Sequence, residues 1–207
     1  MMTHKNYLPA GKILMATNNK NKIKEIRSVL SPVNSISVFS LNDFGITAEV
    51  TEDGKTLEDN ALLKAEYVFR LLNIPSISDD TGLFVDALNG EPGIYSARYA
   101  GENATYRDNC IKLLSKLKNV KPEDRKARFE SVICFYTGKG EYKFFKGVCR
   151  GKIIESERGS NGFGYDPVFV PDGSSKTFAE LTDQEKNKIS HRALALNSFR
   201  NFIEKNI

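Results

Sequence analysis

The sequence of 207 residues contains no tryptophan and only three cysteines, Cys110, Cys134 and Cys149. The cysteines are odd in number, far apart and outside any zinc-ligand spacing, so they fit a reducing compartment better than a disulfide framework. No apolar run approaches the roughly 18 residues needed to cross a bilayer, and no early segment has the apolar core of a signal peptide. We therefore expect a cytoplasmic protein with no membrane partner.

The chain also lacks a large excess of charge of one sign. The chain has 30 basic and 26 acidic residues, a formal net charge of +4. Its one modest basic run, residues 116–128, is interrupted by Pro122, Glu123 and Asp124. This balance suits an anionic ligand but is too weak for a nucleic-acid-binding stripe, so we expect no stable nucleic acid partner. The length allows one large domain or two small lobes, preceded by a flexible lead-in over residues 1–10.

A polar segment joins the first predicted strand to the first predicted helix. The strand covers residues 12–17, and the helix has one apolar face and ends near Ser31-Pro32. A strand-to-helix junction presents free N–H groups and the positive end of the helix dipole, which suits a polyphosphate. The glycine-rich P-loop pattern is absent, so this cradle would be of a different kind. In the alternative interpretation, Asn18 or Asn19 only caps the helix. The candidate phosphate-binding residues are Thr17, Asn18, Asn19, Lys20, Asn21 and Lys22.

Two adjacent acids, Asp79 and Asp80, lie inside an apolar, strand-like run. Because side chains alternate along a strand, the two carboxylates should point to opposite faces and should not act as a pair. Acids in such a setting favour a metal or catalytic site over a polar turn. Further acids precede Gly54, and one of them could reach a metal held by this strand. Mg²⁺ needs few carboxylates because water and substrate phosphates complete its coordination.

Capping boxes predict three further helices, starting after Thr56, Thr105 and Thr182. Residues 35–39 predict a short strand, and residues 126–136 and 142–150 predict an antiparallel hairpin. Together these alternating elements indicate an α/β protein without internal repeats.

Two later motifs indicate contacts with a base-bearing ligand. Glycines flank Phe163 in the segment from Phe163 through Gly164 and Tyr165 to Asp166, so the phenyl ring could stack on a base or could be tucked into the core. Ser190 is a natural N-cap, which places His191 and Arg192 in a first helical turn, where cations oppose the dipole. We expect this pair to be exposed and to bind an anionic or carbonyl-bearing ligand.

Five segments occur together in one order: residues 16–22, 78–83, 92–99, 163–167 and 190–192. In this order and spacing the chain closely resembles the Ham1 or inosine triphosphate pyrophosphatase family, also described as dITP/XTP pyrophosphatases. The resemblance extends over residues 12–205.

The resemblance implies Mg²⁺-dependent hydrolysis of deaminated purine nucleoside triphosphates (ITP, dITP and XTP) to the monophosphate and pyrophosphate. It also implies a homodimer whose single, two-lobed α/β domain surrounds a long twisted mixed sheet, with a substrate cleft between the lobes. By motif, Thr17, Asn19 and Lys22 match the triphosphate cradle, Asp80 the catalytic acid and metal ligand, and Thr81 a substrate contact. Two further groups match contacts to the base: the stacking loop, residues 163–166, and the residues that select a 6-keto purine, Lys186, His191 and Arg192.

The chain departs from the family pattern at two places. Asn18 stands where the family often has Gly or His. The second metal carboxylate of the family lies before the Gly54-Lys55-Thr56 segment; here Glu52 is the choice and Glu49 the alternative. Two other functions stay open: a related Maf-type pyrophosphatase, disfavoured by the His-Arg helix start, and a non-catalytic nucleotide or RNA-binding module, disfavoured by the acidic strand.

Overall fold

The computed structural model describes residues 11–47, 50 and 52–206. The predicted lead-in over residues 1–10 and the alternative metal ligand Glu49 lie outside these residues. The chain forms two compact units. The first contains residues 1–80, 131–147 and 193–207, and the second contains residues 81–130 and 148–192.

The described strands are β1 (Lys12–Met15), β2 (Ser37–Ser40), β3 (Ser76–Val85), β4 (Pro92–Gly93), β5 (Lys126–Gly138), β6 (Glu141–Ile153) and β7 (Phe169–Pro171). They form one mixed sheet in the order β2-β1-β3-β5-β6-β7, with β4 paired to β3. β1 is parallel to both β2 and β3, whereas β4 is antiparallel to β3 and β7 to β6. The predicted hairpin is confirmed as two 13-residue strands, β5 and β6.

Five α-helices accompany the sheet in the part of the chain that is described, which confirms the α/β class. They are α1 (Lys20–Leu30), α2 (Leu57–Leu72), α3 (Tyr106–Lys116), α4 (Asp183–Ile189) and α5 (His191–Asn206). Three of them begin at the predicted capping boxes. In α2, for example, Thr56 Oγ1 accepts from the Asp59 amide at 3.1 Å, and Asp59 Oδ2 accepts from the Thr56 amide at 3.1 Å. Equivalent boxes join Thr105 to Asp108 and Thr182 to Glu185.

Each unit has an apolar core of its own. In the first unit, the buried face of α1 packs with β1, β5 and the later turns of α5, around side chains such as Ile26, Phe135 and Phe199. In the second, α3 packs with an aromatic group that includes Phe129, Phe169 and Phe178. Within the described residues, no helix is both long and apolar enough to cross a membrane.

Candidate functional site

In the first unit, local hydrogen bonds between side chains and backbone amides stabilise the polar junction between β1 and α1. Asn19 is the N-cap of α1: its Oδ1 accepts from the amides of Asn21 at 3.0 Å and Lys22 at 3.3 Å. The Thr17 hydroxyl oxygen accepts from the Asn19 amide at 3.1 Å. The capping interpretation therefore holds for Asn19. Asn18 is half-buried, whereas Lys20 and Asn21 are exposed on the first helical turn.

The two acids of β3 have different partners, as the alternation of the strand predicts. Asp79 Oδ2 lies 2.9 Å from Lys22 Nζ, and Asp79 Oδ1 accepts from the Ser131 hydroxyl at 2.6 Å. The carboxylate of Asp80 instead pairs with the Lys64 ammonium. Asp79 and Asp80 are only 1% and 5% exposed, so both charges depend on these partners.

Lys64 is a residue of this cluster that the sequence did not predict. Its Nζ contacts Asp80 Oδ1, lies 2.9 Å from Glu52 Oε1 and donates to the Asp79 carbonyl oxygen at 3.1 Å. The signal was its position on α2: it is three residues after Ala61 and four before Val68, both buried, so it shares their apolar face. A lysine on the buried face of a helix requires a buried anion.

Asn60 is a second missed residue on the same helix. It is fully buried. Its Oδ1 accepts from the Gly54 amide at 2.8 Å, and its Nδ2 donates to Asp80 Oδ2 at 3.5 Å. Asn60 thus connects the backbone of Gly54, two residues after Glu52, to the Asp80 carboxylate on β3.

The burial of this cluster changes its acid–base behaviour. Burial raises the pKa of Asp80 above the usual aspartate value, against the opposing effect of Lys64 and Lys22. Burial alone would lower the pKa of Lys64, but the Asp80 and Glu52 carboxylates outweigh it and raise that pKa. Lys64 is therefore an ammonium ion. Three carboxylates and two lysines in mutual contact give this group a formal charge of −1.

A pocket of about 270 Å³ in the first unit brings these elements together. Polar residues from the α1 junction and from the acidic cluster share its wall, whereas Asp80 lies behind this wall and contacts Lys64, which lines it. The lining residues are Ala16, Thr17, Asn18, Asn19, Lys22, Leu41, Val50, Glu52, Lys64, Val68 and Asp79.

The carboxylates of this pocket fit a magnesium ion better than a transition metal. Among the described residues, no three His, Cys, Asp or Glu side chains converge as a metal site would require. Glu52 and Asp80 nevertheless both contact one cationic nitrogen, so their oxygens converge on one point. Two carboxylates with further positions left to water and phosphate are a ligand set that Mg²⁺ accepts.

In the second unit, Asp166 closes the glycine-rich loop. Its Oδ2 accepts from the Phe163 amide at 2.8 Å and from Lys186 Nζ at 2.7 Å. A Cβ atom on Gly162, whose φ is +75°, would lie 2.0 Å from the same oxygen, so the loop needs glycine there. The neighbouring Tyr165 is buried and donates its hydroxyl to the Ser96 carbonyl at 2.9 Å. Gly164, with φ +65°, completes the turn.

The ring of Phe163 is half-buried and lies between cations. Lys186 Nζ is 5.0 Å and the Arg192 guanidinium carbon 5.4 Å from its centroid, and the Tyr106 ring is 5.8 Å away. Both cations are within the range of a cation–π interaction. Phe163 is thus neither fully exposed nor part of the core.

The expected exposure of His191 and Arg192 is wrong, since they are only 3% and 2% exposed. The imidazole of His191 stacks on Phe129 with a centroid distance of 4.5 Å and an interplanar angle of 13°. Arg192 Nη2 donates to Thr81 Oγ1 at 3.1 Å. The physical reason is that aromatic rings of the second core, Phe129 and Phe178, pack against the start of α5. The order of residues in the sequence does not show that these distant rings meet His191.

The chain matches known proteins of one family along nearly its whole length. The model of the Ham1 family matches residues 13–202. The chain is 48% identical over 196 residues to the dITP/XTP pyrophosphatase of Thermoanaerobacter pseudethanolicus, covering 95% of this chain and 98% of that one. It is 51% identical over 188 residues to the dITP/XTP pyrophosphatase of Elusimicrobium minutum, covering 89% and 95%.

A solved structure extends the match to three dimensions. The Ham1 protein of Staphylococcus aureus superposes with a TM-score of 0.84 at 43% identity, covering 95% of this chain and 100% of that one. Sequence and fold therefore agree over nearly the whole chain, and the chain belongs to the Ham1 family.

Proposed function

We propose that this chain is a nucleoside triphosphate pyrophosphatase that hydrolyses dITP, XTP and ITP to the monophosphate and pyrophosphate. Relatives at about half identity are named dITP/XTP pyrophosphatases. The observation that carries the proposal is the pocket of the first unit, where the start of α1 and a lysine–carboxylate cluster share one wall.

The phosphate side of the reaction belongs to the first unit. Thr17, Asn19 and Lys22 bind the triphosphate from the junction between β1 and α1, where the helix dipole favours negative charge. The adjoining acidic cluster has a formal charge of −1, which by itself repels a triphosphate. Substrate binding in this pocket therefore needs an added cation.

Glu52 and Asp80 are the residues that would hold this cation, which we take to be Mg²⁺. When bound, Mg²⁺ neutralises phosphate oxygens and lowers the pKa of a coordinated water. Asp80 orients the attacking water and accepts its proton on a carboxylate oxygen. The Lys22 ammonium stabilises the charge that develops on the departing pyrophosphate.

The base side belongs to the second unit. Phe163 stacks on the purine, and Thr81, Lys186, His191 and Arg192 supply polar contacts to it. A 6-keto purine has a carbonyl oxygen where adenine has an amino group. Donors placed for that oxygen are left unpaired against adenine, which is how a polar site rejects ATP. Asp166 contributes by fixing Lys186 and the Phe163 amide.

The working form of the protein is a homodimer in the cytoplasm, as the family resemblance implies. All three cysteines are free thiols, which supports a reducing location. The substrate is a free nucleotide, and neither nucleic acid nor membrane is a partner.

The test is pyrophosphate release from dITP, XTP, ITP, ATP and GTP, with and without Mg²⁺. We expect turnover of the three deaminated nucleotides only with Mg²⁺, and turnover of ATP lower by at least about 10²-fold. Equal turnover of ATP and ITP would refute the selectivity. Binding without turnover would identify the chain as a nucleotide-binding module instead.

A further inference from the structure

The ammonium of Lys64 lies at the point where the two proposed metal carboxylates converge. Its Nζ contacts Asp80 Oδ1 and lies 2.9 Å from Glu52 Oε1, while the Asp79 carbonyl oxygen accepts from it at 3.1 Å. The side chains of Lys64 and Asp80 are 9% and 7% exposed. Three oxygens thus surround one cationic nitrogen on the wall of the pocket, where the Glu52 side chain is 31% exposed.

This position is one that a metal ion needs for itself. The Asp80 carboxylate is largely buried and Glu52 is partly exposed, and their like charges repel each other unless a cation lies between them, so some positive group must be present. Mg²⁺ would contact the same oxygens at about 2.0–2.1 Å. An ammonium in hydrogen-bonding contact with Glu52 Oε1 and Asp80 Oδ1 occupies the point between the two carboxylates and uses one oxygen of each. The ammonium and the metal therefore exclude each other.

We infer that Lys64 is an internal counter-ion, which holds Glu52 and Asp80 together in the metal-free protein and which Mg²⁺ must displace. The inference rests on the proposed function in one respect, the choice of Glu52 and Asp80 as the magnesium carboxylates. Because breaking the lysine contacts opposes metal entry, Mg²⁺ binds weakly without nucleotide.

Displacement also changes the charge of the pocket. Lys64 lines the pocket together with Thr17 and Lys22, so the released ammonium stays within it. A divalent ion added to a group of formal charge −1 makes the pocket positive. A triphosphate then binds more tightly to the metal-loaded form, and by linkage it raises the affinity for Mg²⁺ by the same factor.

Lys22 provides a matched comparison. Its Nζ pairs with Asp79, at 2.9 Å from Oδ2 and 3.1 Å from the carbonyl oxygen. Removing Lys22 deletes a positive charge from the same pocket but leaves the contacts of Lys64 with Glu52 and Asp80 in place. Lys146, an exposed residue of the first unit that pairs with Glu58, serves as a surface control.

The experiment is calorimetric titration of Mg²⁺ into the chelator-treated, nucleotide-free chain. We expect Lys64→Met to bind Mg²⁺ about tenfold or more tightly than the wild type, because the competing ammonium is gone. Lys22→Met should change the affinity by less than about threefold. This variant removes only the longer-range repulsion between the Lys22 charge and Mg²⁺, and water in the pocket weakens that repulsion. Lys146→Met should bind as the wild type does.

Two results would overturn the inference: an unchanged or weaker affinity in Lys64→Met, or equal tightening in Lys64→Met and Lys22→Met. The second result would mean that the general field, and not displacement, governs binding. Failure of the proposed function is a separate observation, namely the absence of dITP turnover by the wild type.

Thermal unfolding gives a readout that does not depend on titrated affinity. Metal-free Lys64→Met should unfold at a Tm lower by on the order of 5–10 °C, because the buried Asp80 carboxylate and the partly exposed Glu52 carboxylate lose their cation. Saturating Mg²⁺ should restore the lost Tm and raise it by more than it does in the wild type. An equal gain in both proteins would contradict displacement.

If Lys64→Met does not fold, the wild type still permits a test. The ¹⁵N resonance of the Lys64 ammonium, assigned with Lys64→Arg, should shift on addition of Mg²⁺, while that of Lys146 should not. A Lys64 signal that is unchanged at saturating Mg²⁺ would overturn the inference.

Discussion

At the scale of single residues, Asp79 and Asp80 are neighbours in the chain but differ in every contact of their carboxylates. Asp79 pairs with Lys22 and Ser131, and Asp80 with Lys64. Strand geometry alone predicted this separation. Lys64 itself was not predicted, because its role depends on packing α2 against β3, and a one-dimensional pattern carries no information on that pairing.

The first prediction concerns Asp80. Asp80→Asn should lower Mg²⁺-dependent pyrophosphate release from dITP by on the order of 10²–10⁴-fold, since it removes both a metal ligand and the acceptor of the proton from water. The matched control is Asp86→Asn: Asp86 is an exposed residue of the second unit, 3.5 Å from Arg128. Steady-state kinetics measure both variants, and wild-type turnover in Asp80→Asn would remove Asp80 from the mechanism.

The second prediction concerns the thiols. Burial raises the pKa of Cys110 and Cys134 to about 12 and that of Cys149 to about 11. The folded protein should therefore react with a disulfide reagent at pH 8 at least about 10²-fold more slowly than the denatured chain, whose thiols have a pKa of about 8.5. Absorbance of the released chromophore measures this, and rapid labelling of the folded chain would contradict the burial.

The same shifts fix a direction for stability against pH. Each folded thiol keeps its proton to a higher pH than the unfolded thiol does. The stability they contribute is therefore fully present below about pH 8.5 and is lost as the pH rises from there through about 11–12.

The third prediction concerns Phe129, which stacks on His191. Phe129→Leu should destabilise the fold by on the order of 1–3 kcal/mol and should also reduce the discrimination between dITP and dATP, because the imidazole loses its stacking partner. Phe145→Leu is the control, since Phe145 packs on Phe199 in the core of the first unit. Chemical denaturation and the two kcat/KM values measure the effects. An equal loss of discrimination in both variants would show a general packing effect.

At the scale of elements, the chain specifies its helices locally and its functional contacts non-locally. The capping boxes at Thr56, Thr105 and Thr182 were legible in the sequence because each is completed within four residues. The hairpin was legible for the same reason, although its turn is two residues long and the sequence predicted a longer connection between strands 126–136 and 142–150. The burial of His191 was not, because the rings that cover it come from distant segments of the chain.

The fourth prediction tests one of these caps. Thr56→Ala should cost about 1 kcal/mol of stability, since α2 loses a side-chain acceptor for the Asp59 amide. Thr47→Ala provides the comparison because Thr47 is exposed and lies outside the helices and strands. Urea denaturation measures the difference, and equal stability of the two variants would mean that the box contributes nothing.

At the scale of the whole molecule, each compact unit holds one chemically distinct set of candidate residues. The first has Lys22, Lys64 and the carboxylates that they contact at the α1 junction, and the second has the aromatic loop with the Lys186–Asp166 pair, His191 and Arg192. Membership of the Ham1 family follows from a sequence match along nearly the whole chain, whereas each motif alone was weak evidence for that family. The α/β class was predictable from alternating elements, but the order of the strands in the sheet was not.

The fifth prediction concerns assembly. Light scattering after gel filtration should give twice the chain mass of 23.2 kDa, as expected of a homodimer. Measurement over a hundredfold range of concentration serves as the control for weak association. A mass of one chain throughout that range would contradict the dimer.

The alternation of β3 also restricts how this chain can change in length during evolution. Within Ser76–Val85, inserting or deleting one residue before Asp79 would exchange the faces of the two acids and separate each from its own lysine. Insertions at the turn around Lys139 and Gly140 carry no such penalty, because both residues are in the left-handed conformation of an exposed loop tip. Length variation among functional descendants of this sequence should therefore accumulate at that turn and be excluded from β3.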